Sequence, residues 1–171
     1  MMYFKRILCL VFFVMMALPL SAQTDSYKYH QVFMYIFARF IEWPEQVSEG
    51  DFVIGVLGES PVEESLREMA RTKRLDGRRI VVKRIESLGE GRECHIAYVS
   101  SGQSHRLFLL KEKVKGLPVL LVTEKPGYAT KGSAINLIRK NGRLRFELNK
   151  EVLRQSSLRP MPNLLKFAIL V

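Results

Sequence analysis

The sequence predicts an α/β domain: a mixed, mostly parallel sheet flanked by helices, with a C-terminal antiparallel hairpin and a final helix. Three observations lead there. Four short apolar runs, at Phe52–Leu57, Arg78–Ile85, 94–99 and 118–123, have the length and β-branched content of buried strands. Segments of helical period at 33–44, 61–72 and 103–114 precede or separate most of them, and such alternation favours parallel pairing. Near the C-terminus the pattern becomes two alternating strands around Asn141-Gly142, the strongest short hairpin signal.

In chain order, Lys5 and Arg6 precede an apolar run over 7–18, then Pro19 and the small residues Ser21-Ala22. This reads as a secretory leader over residues 1–22, cleaved after Ala22, followed by one domain over residues 23–171. The apolar span 7–20 is shorter than the roughly 20 residues a membrane-crossing helix needs. In the segment 33–44, Phe33, Ile36, Phe40 and Trp43 recur at helical spacing on one face while Arg39 and Glu42 fall on another. Pro44 ends that helix. The aromatics serve either as core filling or as a recognition surface.

Phe52–Leu57 is the first strand, and Gly58-Glu59-Ser60-Pro61 turns the chain. Ser60 is the expected N-cap, Pro61 the first helical position, and Glu63 the partner in a capping box, for a helix reaching about Thr72. Strands follow at Arg78–Ile85 and 94–99, a helix at 103–114 and a strand at 118–123. The hairpin pairs 134–139 with 143–149. A last helical segment covers Lys150–Gln155 and resumes from about residue 162 to residue 170.

Composition narrows the function. Removing the leader takes two of 27 basic residues and none of 17 acidic ones, leaving a net charge of +8. The basic residues are scattered, and export removes intracellular nucleic acid as a partner, so the charge reads as a solvated surface or one facing an anionic membrane or acidic protein. Beyond the leader one cysteine is left, Cys94, which excludes an intramolecular disulfide and reads as a small core residue. His30, His95 and His105 lack metal-site spacing, and Gly55 to Gly58 and Gly127 to Gly132 fit neither a Walker loop nor a dinucleotide fingerprint. No nucleophile motif occurs, so the expectation is no catalytic residue, no metal and no cofactor.

Residues 37–44 (FARFIEWP), Ile54-Gly55-Val56-Leu57-Gly58, Cys94-His95-Ile96, 118–122 and 143–149 (RLRFELN), with Leu158-Arg159 and Leu164-Leu165-Lys166, stand in the order seen in the YfiR-like family. The chain resembles that family over nearly all of its length after the leader. The resemblance implies a periplasmic α/β regulator that binds and represses the periplasmic sensor domain of an inner-membrane diguanylate cyclase, and so controls cyclic-di-GMP and biofilm formation. It also implies a homodimer. Carried over by motif, the partner- or ligand-binding residues are Trp43, Glu147 and Arg159, with Arg39, Arg145 and Phe146 in support.

Strand alternation puts Arg143, Arg145 and Glu147 on one face and Leu144, Phe146 and Leu148 on the other. An Arg/Glu surface beside Trp43 would hold a zwitterionic small molecule or an acidic loop; the alternative is an internal salt bridge tying the last helix to the sheet. Two departures from the family stand out: the single cysteine, and Pro160-Met161-Pro162 where relatives carry small polar residues. The competing function class is an exported small-molecule-binding sensory module with its pocket at the carboxyl ends of the strands.

Overall fold

The computed structural model describes residues 24–171, so the leader expected at 1–22 lies outside the described residues. Helix α1 (Thr24–Phe40) leads through β1 (Ile41–Glu42) to β2 (Phe52–Leu57), α2 (Val62–Thr72), β3 (Arg74–Leu75) and β4 (Arg78–Ile85). Then come β5 (Ile96–Val99), α3 (Leu107–Lys113) and β6 (Leu120–Thr123). The hairpin β7 (Ile135–Lys140) and β8 (Arg143–Leu148), α4 (Lys150–Gln155), β9 (Arg159–Pro160), α5 (Pro162–Leu165) and β10 (Ile169–Leu170) complete the order.

The main sheet runs β10-β8-β7-β6-β5-β2-β4-β3. Its centre, β4-β2-β5-β6-β7, is parallel, and the direction of winding reverses between β2 and β5, as in doubly wound folds. β8 returns antiparallel to β7, through a turn in which Asn141 (φ 53°) and Gly142 (φ 72°) both take the left-handed conformation a tight hairpin needs. The period-two alternation then sorts the core. Ile54, Val56, Ile96, Tyr98, Leu120 and Val122 join the cluster covered by α1 and α2, whereas Leu57, Ala97, Val99 and Leu121 join the one covered by α3.

The mixed, mostly parallel sheet with a C-terminal hairpin agrees with the sequence reading; several local expectations change. Helix α1 stops at Phe40, and Ile41-Glu42 is extended, because it pairs antiparallel with Arg159-Pro160 in a separate two-stranded ribbon. Trp43 is therefore off the helix. The helix expected over 103–114 is split into a 3-10 turn, Ser101–Arg106, and the shorter α3. Glu63 does not close a capping box on Ser60; its carboxylate bridges Arg67 at 2.6 Å and Arg84 at 2.9 Å. A capping box forms instead at Ser87 and Glu90. The last helix is the four-residue α5, after which Ile169 and Leu170 pair in parallel with Glu147 and Leu148. The free edge of β8 offers those residues backbone partners that one more helical turn would not.

Candidate functional site

The segment singled out by the sequence builds a strongly apolar concavity. On α1, Met34, Phe37 and Ala38 point into the core, while Phe33, Ile36 and Phe40 sit beside them partly exposed. Phe33 and Phe37 meet the ring of Phe146 at 5.8 and 5.1 Å in edge-on geometry, which fixes α1 against β8. Across a gap stands α5, held there because Met161 N donates to Phe40 O at 2.9 Å and Pro162 starts its single turn. The resulting groove, about 390 Å³, is lined by Phe33, Ile36, Phe40, Phe146, Leu164 and Phe167, with Arg145 and Asn163 as its polar members. Phe167 is 67% exposed, and β10, the outermost strand, lies just beyond it.

The residues carried over by motif are not brought to one place. Arg145 and Phe146 belong to the groove, on opposite faces of β8. Arg39 is exposed in the last turn of α1, and Arg159 is exposed in β9 opposite Glu42. Glu147 faces a different cavity and accepts from Asn136 Nδ2 at 2.9 Å, in a chain continued by Thr123 Oγ1 to Asn136 Oδ1 at 2.7 Å. Trp43 packs against Phe52 at the start of β2, one residue beyond the Glu42 that pairs with Arg159, and does not line the groove that holds Arg145 and Phe146. Arg145 and Glu147 line different cavities rather than one surface beside Trp43. No ion pair among the described residues ties α5 to the sheet either.

Trp43 is instead a packing residue. Its Nε1 donates to Ala38 O at 2.9 Å, and its ring meets Phe52 and His95 edge-on at 5.2 and 5.8 Å. His95 accepts from Val53 N at Nδ1 (3.1 Å), so its proton sits on Nε2 and is donated to Val47 O at 2.8 Å. The Arg78 guanidinium beside it, at 3.0 Å, is spent on the carbonyls of Glu49, Gly50 and Asp51. Burial pushes the His95 pKa below its usual value; the Val47 carbonyl opposes this and Arg78 adds to it. This neutral ring clamps the 45–51 loop to the sheet. Cys94, next to it, is buried and burial raises its thiol to about 11, so it behaves as core.

A polar cluster that sequence reasoning missed occupies the carboxyl ends of β5 and β6. Glu124 accepts from Tyr98 Oη at 2.6 Å, Ser101 N at 2.9 Å and Tyr27 Oη at 3.4 Å, and lies 3.3 Å from His30 Nε2. Burial alone would raise its pKa, but the bonds from His30, Tyr98 and Ser101 outweigh it and hold Glu124 ionised. These partners come from α1, β5 and the turn after it, so the cluster fastens α1 over the strand ends. Beside it a cavity of about 520 Å³ is bordered by Tyr27, His30, Glu124, Arg139 and Glu147. At the switch point a side chain at Gly58 (φ +66°) would strike Gln103, so glycine lets the end of β2 approach the turn after β5 this closely. The only sequence signal for the cluster was a carboxylate directly after a strand.

Fold and surface together define a doubly wound α/β protein with an apolar groove at one sheet edge. Among the described residues there is no group of three or more His, Cys, Asp or Glu side chains placed to hold a metal, and no helix long and apolar enough to cross a membrane. Residues 27–169 match the family model described as YfiR/HmsC-like, and the chain belongs to that family. Among curated proteins none matches. Two solved structures share the fold: an ABC domain in complex with L-Trp from Streptococcus pneumoniae (TM-score 0.50, 11% identity, 70% of this chain and 55% of that one), and a conserved domain protein from Vibrio cholerae O1 biovar El Tor (TM-score 0.52, 11% identity, 84% and 59%). The chain thus spans between half and two thirds of either structure's length, and at this identity the likeness concerns the fold alone.

Proposed function

We propose that the protein is a periplasmic regulator that binds the periplasmic sensor domain of an inner-membrane diguanylate cyclase through the apolar groove and so restrains cyclic-di-GMP synthesis and biofilm formation. The observation that carries this reading is an open groove of aromatic side chains beside an unpaired strand edge, in a chain of the YfiR/HmsC-like family. An apolar segment of the partner would fill it, Phe167 and Phe40 supplying buried area and Arg145 orientation. Restraint then follows from differential affinity: the regulator binds the inactive sensor more tightly than the active one, and a signal that sequesters the regulator frees the cyclase. The homodimer implied by the resemblance is kept in this reading, with exposed Tyr29 and Val32 on α1 as its candidate contacts.

The test is capture of detergent-solubilised inner membrane by wild type and by Phe167→Glu and Arg145→Glu, whose side chains are exposed enough to change without unfolding the protein. A cyclase retained by wild type and lost by both variants is the expected result; capture undiminished in both sinks the groove assignment. Trp43→Ala tests this poorly, because it also removes core packing. A second reading rests on the cavity bordered by Glu124 and Glu147 at the strand ends, which suits a sensory module for a small polar ligand. A metabolite retained on purification and displaced by Glu147→Gln, with no captured cyclase, would favour it.

A further inference from the structure

Helix α3, on the sheet face opposite the groove, carries a second unexplained surface. Leu107 and Leu110 are buried, but Phe108 and Leu109 between them are 67% and 55% exposed. Lys111, Lys113 and Lys115 follow, and Glu112 is the single acidic residue in 105–115. Lys111 folds against Gly132, which brings the 125–132 loop alongside, where Lys125 and Lys131 stand over the Tyr128 ring at 5.5 and 5.1 Å. None of these five lysines enters an ion pair among the described residues, while Arg67, Arg71, Arg79, Arg84 and Arg154 each bind a carboxylate. Five cations without a carboxylate partner among the described residues thus accompany the exposed Phe-Leu pair, with Glu112 the one acid on that helix.

We infer that this surface docks on an anionic lipid bilayer, with Phe108 and Leu109 inserted at the headgroup level and the lysines over lipid phosphates. Charge complementarity favours an anionic occupant, since each lysine near such a surface contributes about a fivefold gain in partitioning and its aliphatic stem lies along the interface. Shape decides between lipid and protein. Two side chains on a convex seven-residue helix offer little toward the roughly 800 Å² per partner of a stable protein interface, yet they suit insertion into a deformable headgroup layer. Docking by α3 leaves the groove, on the other face of the sheet, free for a membrane-borne partner.

The experiment is flotation of the chain from Gln23 onward, which carries every described element, with vesicles of phosphatidylcholine alone or mixed with an equal amount of phosphatidylglycerol. No other protein is present, so the outcome is independent of the cyclase reading. Wild type is expected to float with the mixed vesicles, not with phosphatidylcholine, and to be released by salt. Phe108→Ser/Leu109→Ser should lose tenfold or more of that binding, and Lys113→Gln and Lys115→Gln about fivefold each, with unchanged thermal unfolding. Arg71→Gln/Arg74→Gln, on the far side of the sheet, should lose far less. In a Phe108→Trp variant, emission should shift to the blue on adding mixed vesicles. No flotation on mixed vesicles overturns the inference and leaves the patch to an acidic protein. Full binding by the Phe108/Leu109 variant, or a loss in the Arg71/Arg74 control as large as in the lysine variants, overturns it equally.

Discussion

The two faces of the sheet obey the same alternation and are finished differently. The α1/α2 face buries large rings, Phe37, Phe52, Tyr98 and Phe146, under a helix of 17 residues. The α3 face buries a smaller set, among them Leu57, Cys94, Ala97 and Leu110, under one of seven. The long helix overhangs the sheet at its β8 edge, and its spare aromatics make a concave groove. The short one covers little more than its own footprint and leaves its spare side chains on a convex ridge. Concavity suits a protein segment; convexity ringed by lysine suits a bilayer. Helix length, more than composition, separates the two surfaces.

The largest expected effect that would break this contrast is at the core. Phe37→Ala, which removes a ring packed on Phe33 and Phe146, should cost about 3–5 kcal/mol in urea unfolding, and Leu110→Ala on the other face about 2–3 kcal/mol. Equal losses would mean that the faces contribute alike. Leu110→Ala should also speed labelling of Cys94 by a thiol reagent, because the protonated, buried thiol in wild type reacts only when this face opens. Labelling of native wild type at the rate of a free thiol would show the α3 face to be loose.

A smaller effect is expected from acid. The native state disfavours protonated His95 relative to the unfolded chain, so its contribution is complete above the ordinary imidazole pKa of about 6.5 and falls as pH drops below that toward the depressed folded value. His95→Gln should flatten that part of the stability profile; an unchanged slope would place the proton uptake elsewhere. Smallest of all, Phe167→Ser and Phe108→Ser should each shift stability by less than about 0.5 kcal/mol while acting on binding, since both side chains are exposed. A substantial loss of stability in either would show a surface already covered in the free protein.

Much of the fold was legible because its signals are local. Phe52–Leu57 and Arg78–Ile85 were bounded to the residue by apolar runs between turn signals, and Asn141-Gly142 placed the hairpin. Misreadings arose where a distant partner overrides local preference. Ile41-Glu42 leaves the helix for β9, more than a hundred residues away, and Ile169-Leu170 becomes a strand because β8 has a vacant edge. Of the site, the aromatics of α1, the Arg145-Phe146 pair and Leu164 stood out in sequence, but Phe167, which closes the groove, did not. Nothing in a four-residue helix announces what it will face.

The sequence by itself determined the α/β class, the sheet-forming runs, the hairpin and the excess of positive charge, because period, turn chemistry and composition act over a few residues. Only the tertiary structure decided that Trp43 packs inward against Phe52 and His95, that Glu124 gathers His30, Tyr27 and Tyr98, and that Phe33, Phe40 and Phe167 share a groove. Those outcomes depend on which strands become neighbours. Neighbourhood is set by burial and backbone pairing summed over the whole chain, which no local window contains.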